Sequence, residues 1–206
     1  MKLPSRVYFI VDPLDTGRDP VVLAEAMLAA GARLVQLRLK SVPTGALVEI
    51  ARRVRDLTAT AGARFIVNDR IDVALAVGAD GVHLGQEDLP VDVARRLLGP
   101  DRWIGFSTHS EAQLAAAAGC GADYLSLGPI FVTTSRSPAD PVIGCDRLRT
   151  ARAHTTEPLV AIGGITAATM RGVLAAGADA VSVIAAVVRA PDVTRAAAEL
   201  LTIAGG

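Results

Sequence analysis

The chain has 206 residues, 51% of them apolar, and its 21 basic and 21 acidic side chains cancel. A chain of this size can bury a full core in one domain, and zero net charge excludes a global field that would recruit nucleic acid or an anionic membrane. An anionic ligand would have to be held by a local cluster, so small-molecule substrates are the expected partners.

In chain order, the short apolar runs read as strands are VYFIVD (7 to 12), LVQLRLK (34 to 40), RFIVND (64 to 69), GVHLG (81 to 85), WIGFST (103 to 108), YLSLGPI (124 to 130), LVAIGGI (159 to 165) and AVSVIAAV (180 to 187). Segments of helical period follow them, among them 20 to 30, 44 to 60, 167 to 176 and 192 to 203. A Gly-Ala junction followed by a charged residue recurs at Gly31, Gly62, Gly78, Gly121 and Gly177, closing a helical segment just before a strand. Eight βα units of about 20 to 30 residues predict a single-domain α/β protein over 1 to 206, a (β/α)8 TIM barrel. A doubly wound open sheet is the competing architecture, because parallel-strand periodicity does not reveal closure.

No apolar run reaches the roughly 18 residues that span a bilayer, and the opening MKLPSRVYFIVD has no long apolar segment ahead of its first strand. Cys120 and Cys145 lie in no metal-like spacing, and Cys120 reads as a small core residue. A soluble protein of the reducing cytoplasm is expected, with no membrane and no nucleic-acid partner; homo-oligomerisation is left open.

A barrel places its working residues at the carboxyl ends of the strands. Gln36, Arg38 and Lys40 alternate along the second strand, so all three point to one face while Val35, Leu37 and Leu39 take the other. Two cations beside an amide suit a polyphosphate carried by a polar ring; alternatively, Arg38 and Lys40 pair with buried acids such as Asp69. Asp69 ends the third strand beside Asn68, and Asp88 follows the fourth. Neighbouring carboxylates of this kind could ligate Mg²⁺, or each could cap the helix that follows. Gly163-Gly164 before a helix near Thr166 offers backbone amides to a phosphate, or is a tight turn needing positive φ. His83 reads as a packed, inward hydrogen-bonding residue, and His109 as a secondary acid–base candidate. No nucleophile triad, cysteine zinc pattern or Walker sequence is present.

The segments Val35-Gln36-Leu37-Arg38-Leu39-Lys40, Val67-Asn68-Asp69-Arg70, Gly81 to Pro90 (GVHLGQEDLP), Ser107-Thr108-His109, Gly128-Pro129-Ile130-Phe131 and Ile162-Gly163-Gly164-Ile165 together resemble the thiamine phosphate synthase and TenI family. The resemblance implies a transferase of thiamine biosynthesis that joins hydroxymethylpyrimidine diphosphate to a hydroxyethylthiazole phosphate, carboxylated or not, and releases pyrophosphate. By matching position it implies that Gln36 faces the pyrimidine, that Arg38, Lys40, Asn68 and Arg136 hold the diphosphate, and that Asp69 and Asp88 ligate Mg²⁺. Ser107 matches a residue near the pyrimidine. Thr133, Ser135, Gly164, Ser182 and the backbone at Ile184 and Ala185 would surround the thiazole and its phosphate. Arg38, Lys40, Ser107 and Arg136 are the residues expected to act in catalysis. Leu39, Val132, Arg136 and Ala185 depart from the family's usual Glu, Pro, Lys and Ser. A TenI-type thiazole tautomerase and a non-catalytic thiamine phosphate-binding paralogue are the alternatives, and Pro129, where the tautomerase branch often has His, favours the synthase.

Overall fold

In a computed structural model, residues 2–133 and 141–205 are described. Eight parallel strands close into a barrel in sequence order: β1 (Val7–Val11), β2 (Leu34–Leu37), β3 (Arg64–Asn68), β4 (Gly81–Leu84), β5 (Trp103–Thr108), β6 (Tyr124–Leu127), β7 (Leu159–Ile162) and β8 (Ala180–Val183). The pairs Val7↔Val181, Tyr8↔Ser182 and Phe9↔Val183 join the last strand to the first, which excludes the open sheet.

The helices wrapping the barrel are α1 (Pro20–Ala29), α2 (Thr44–Ala61), α3 (Ile71–Val77), α4 (Val91–Leu98), α5 (Glu111–Ala117), α6 (Gly144–Ala151), α7 (Ala167–Ala175), α8 (Ala185–Val188) and α9 (Val193–Gly205). Each long helix presents one apolar stripe. In α2 it is Leu47, Ala51, Val54 and Thr58, and in α9 Val193, Ala197, Leu200 and Ala204, both at the three-to-four residue spacing of a single face. Gly62 and Gly78 end α2 and α3 with φ of 64° and 66°, a left-handed conformation that a β-carbon would disfavour.

Strand alternation divides the interior into two cores. Outward residues such as Val7, Phe9, Val35, Leu37, Phe65 and Val67 pack against the helices. Inward residues Tyr8, Leu34, Ile66, Tyr124, Val160 and Ala180 fill the barrel itself. Two residues further along the same strands, the inward positions become Ile10, Gln36, Asn68, Ile162 and Ser182, and these line a cavity. The site is therefore the unfilled upper layer of the barrel, resting on an apolar plug.

Several predicted strands run past the observed ones. β2 stops at Leu37, so Arg38 and Lys40 lie in the segment leading to α2, although the Arg38 amide still donates to the Val11 carbonyl (2.9 Å). The eighth run ends as strand at Val183, and Ala185–Val188 turns into α8. Apolar β-branched composition continues through that point, and only the completed β1–β8 ladder makes the strand stop. Cys120 and Cys145 are half-buried free thiols packed against the outer core.

Candidate active site

The cavity at the carboxyl ends of the strands has a volume of about 380 Å³. Its lining brings together most of the residues expected from sequence: Gln36, Arg38, Lys40, Asn68, Asp69, Asp88, Ser107, Thr133, Gly164, Ser182, Ile184 and Ala185. Ser135 and Arg136, expected to bind thiazole phosphate and diphosphate, lie outside the described residues.

On the β2 side, the Arg38 guanidinium is bonded to the Asp12 carboxylate, whose other oxygen accepts from the Leu14 amide (3.0 Å). Lys40 sits 3.5 Å from Asp69. Both cations are thus paired with acids, as the alternative expectation had it, Lys40 with Asp69 and Arg38 with Asp12. Asp12 is one of the polar residues that the sequence places at a strand top; its partner depends on the β1–β2 pairing.

Asp69 does not cap a helix. Its φ is +62°, α3 begins after Arg70, and no side chain caps that helix. Two backbone bonds hold the turn: the Asp69 amide donates to the His83 carbonyl (2.8 Å), and the Arg70 amide donates to the Asn68 carbonyl (2.7 Å). The Asp88 carboxylate accepts from the Gly85 amide (2.7 Å), closing the turn after β4, while α4 begins behind Pro90. Asp69 and Asp88 are neighbours at the tops of β3 and β4. Burial raises the Asp69 pKa, the adjacent Asp88 raises it further, and Lys40 only partly offsets this.

Counting the charged groups on this wall with Asp12, two cations face three carboxylates among the described residues. The wall carries one negative charge in surplus, and crowded carboxyl oxygens are the donor set of a hard divalent cation. Asp69 and Asp88 are of the chemistry that suits a hard divalent cation, although the described residues bring no three metal-ligating side chains together.

Across the barrel, Gly163 and Gly164 have φ of 100° and 64°. A β-carbon on Gly163 would fall 2.6 Å from Pro129 Cα, and one on Gly164 would fall 2.8 Å from Phe131 Cβ. The tight-turn reading is thus correct, and the phosphate reading is compatible with it. The segment after β6 runs along the end of β7, with the Ile130 amide donating to the Ile162 carbonyl (2.9 Å) and the Phe131 amide to the Gly163 carbonyl (3.0 Å). This ladder delivers Thr133 to the cavity. The buried Ser182 hydroxyl lines the same cavity and has no hydrogen-bond partner among the described residues. A buried polar group left this way is costly unless a ligand completes it.

His83 is packed and inward, as expected, with Nδ1 3.0 Å from the Tyr124 hydroxyl and Nε2 2.8 Å from Ser107 Oγ. Burial pushes its pKa down to about 4, Asp88 pulling it up and His109 pushing it down. It is a neutral ring at ordinary pH. His109 lines the cavity, its Nδ1 3.0 Å from the Gly128 carbonyl. Tyr8 and Tyr124, the chain's two tyrosines, carried no expectation from sequence. Their positions at inward strand parity in an aromatic-poor chain were the available signal.

Residues 7–187 match the family model described as thiamine monophosphate synthase. The chain is 51% identical over 191 residues to a thiamine-phosphate synthase of Moorella thermoacetica, covering 93% of this chain and 91% of the relative. It is 49% identical over 196 residues to one of Chloroflexus aurantiacus, covering 95% and 90%. A solved structure, thiamine phosphate pyrophosphorylase from Pyrococcus furiosus, superposes with a TM-score of 0.88 at 41% identity, covering 97% of this chain and 95% of that one. Likeness in sequence and in fold runs through every strand end that builds the cavity, and the chain belongs to the thiamine monophosphate synthase family.

Proposed function

We propose that the chain is a thiamine phosphate synthase that condenses hydroxymethylpyrimidine diphosphate with a hydroxyethylthiazole phosphate, giving thiamine phosphate and pyrophosphate. The observation that carries this reading is the convergence of Gln36, Arg38, Lys40, Asn68, Asp69 and Asp88 on one wall of a cavity whose far side is the Gly163-Gly164 turn and the start of α8. One wall suits a diphosphate on a polar ring, and the other offers backbone amides and the Ser182 hydroxyl, which has no partner among the described residues, to a second phosphorylated substrate.

Asp69 and Asp88 would hold Mg²⁺, which when bound would neutralise charge on the departing pyrophosphate. Arg38 and Lys40 add fixed positive charge beside it, and Asn68 supplies a neutral donor. Gln36 and Ser107 orient the pyrimidine. Early departure of pyrophosphate leaves an electron-rich ring that stabilises the carbocation, and the far wall holds the thiazole nitrogen in position to attack. Positioning and charge stabilisation suffice for such a step, with no covalent nucleophile. The described residues include no helix long and apolar enough to cross a membrane; the same reading makes the chain a single-domain, Mg²⁺-dependent transferase of the cytoplasm.

The test is a coupled pyrophosphate-release assay on purified protein with both substrates, with and without Mg²⁺. Release that requires both substrates and the metal is expected. Isomerisation of the thiazole phosphate alone, or tight product binding with no turnover, would replace the reading with the tautomerase or the binding paralogue.

A further inference from the structure

Beneath the cavity, five side chains from five strands are joined end to end. Gln36 Nε2 donates to the Tyr8 hydroxyl (2.7 Å), Tyr8 meets the Tyr124 hydroxyl (2.9 Å), Tyr124 meets His83 Nδ1 (3.0 Å), and His83 Nε2 meets Ser107 Oγ (2.8 Å). Tyr8, Gln36, His83 and Tyr124 are buried. Gly105 makes the crossing possible: a β-carbon there would collide with the Tyr124 hydroxyl and His83 Nδ1. The two ends of the chain, Gln36 and Ser107, both line the cavity.

The direction of every link follows from the first. A phenol has one proton, so Tyr8, accepting from Gln36, gives its own proton to Tyr124. Tyr124 then gives its proton to His83 Nδ1, which must be the bare nitrogen of a neutral imidazole. His83 therefore carries its proton on Nε2 and donates to Ser107 Oγ. Ser107 also accepts from Ser126 Oγ (3.4 Å), which leaves its own proton for the cavity. Only one other order satisfies all members, with every link reversed, Gln36 turning its amino group to the cavity and Ser107 its lone pair. An imidazolium does not fit the first order, in which Gln36 donates to Tyr8, since its Nδ1 proton would strand a phenolic one. Burial, which holds His83 neutral, agrees with this.

We propose that Tyr8, Tyr124 and His83 are positioning residues that fix Gln36 as an acceptor and Ser107 as a donor toward the bound ring, making the pocket select an aminopyrimidine over an oxopyrimidine of the same outline. The proposal rests on the synthase reading. An isolated glutamine amide turns over at little cost and serves either ring. Here turning it reverses four buried hydrogen bonds and a histidine tautomer, and a site whose buried groups are left unpaired rejects the wrong ring strongly.

Two measurements on the full chain test it. In protein labelled with ¹⁵N-histidine, with His83 assigned by loss of its signal in His83→Gln, the wild-type ring is expected neutral with its proton on Nε2; a proton on Nδ1 overturns the relay. In Tyr124→Phe, which removes one oxygen and keeps the ring, the preference in pyrophosphate release for the aminopyrimidine diphosphate over its 4-oxo analogue is expected to fall roughly tenfold, with KM for the thiazole phosphate unchanged. Equal losses with both rings would mean a purely structural role and also overturn it. Tyr8→Phe gives the same reading should Tyr124→Phe fail to fold. Wild-type protein that releases no pyrophosphate from either ring would sink the synthase reading, and the imidazole proton alone would then decide the relay.

Discussion

The two ends of the barrel use the same residue types in opposite ways. At the amino ends, Asp80, Asp123 and Asp179 repeat one device: each amide donates to the carbonyl of a residue opening the preceding strand, and each carboxylate accepts that strand's amide in return. The returned bonds come from Phe65 (2.8 Å), Ile104 (2.7 Å) and Leu159 (2.8 Å). Arg64 and Arg95 complete Asp80 and Asp123 at 2.6 Å each. Each of these three carboxylates is met by fixed partners, so the result is strand register and stability. At the carboxyl ends, Asp69 and Asp88 face each other, Asp69 is held at positive φ, and Ser182 Oγ lacks a partner among the described residues. Such an arrangement is completed only by ligands, and it lowers the stability of the empty protein.

The largest expected effect tests the ligand-facing end. Asp69→Asn keeps the shape and tolerates positive φ, yet removes a ligand charge, so pyrophosphate release should fall roughly 1000-fold. Unchanged turnover would remove Asp69 from the machinery. At the opposite end, Asp123→Ala strands the Ile104 amide and an Arg95 donor, costing about 2–3 kcal/mol, and thermal unfolding should fall by about 4–12 °C. The folded fraction of that variant should keep its KM values, and a large rise in KM would break the division between the ends.

Gly164→Ala probes the seam between the loops. It forces a β-carbon into a left-handed position against Phe131, so a loss of about 1–3 kcal/mol is expected, with a raised KM for the thiazole phosphate alone. The smallest effect has the opposite sign. Asp69 has its pKa raised, so between the ordinary carboxylate value and the raised one the native state binds more protons than the unfolded chain, and stability falls as pH rises through that window. Asp69→Asn should therefore melt about 2–4 °C above the ligand-free wild type near neutral pH, with the gap vanishing in acid. A variant no more stable than wild type at pH 7 would mean that the carboxylates do not repel.

Much of the site was legible because strand parity and strand ends are one-dimensional properties. Gln36, Asn68 and Ser107 fall at inward parity near the tops of their strands, and Arg38, Lys40, Asp69 and Asp88 just beyond them. What local pattern left open was which partner each residue finds. The cap considered for Asp69 as an alternative rested on the helix after it, whereas its amide bonds the His83 carbonyl on β4. Arg38 was expected to meet a buried acid such as Asp69, and the acid it meets is Asp12, just past the end of β1. His83 was read as hydrogen-bonded, but Tyr124, its partner, stands 41 residues away.

Alone, the sequence determined the eight βα units, their order and the polarity of each strand end, because apolar period and turn chemistry are local. Tertiary structure decided closure, where β2 and β8 stop, which acid meets which cation, and that two tyrosines, an imidazole and the space above Gly105 form one chain beneath the cavity. Those outcomes depend on distances across a closed sheet, between residues as far apart as Tyr8 and Tyr124, and no local pattern encodes them.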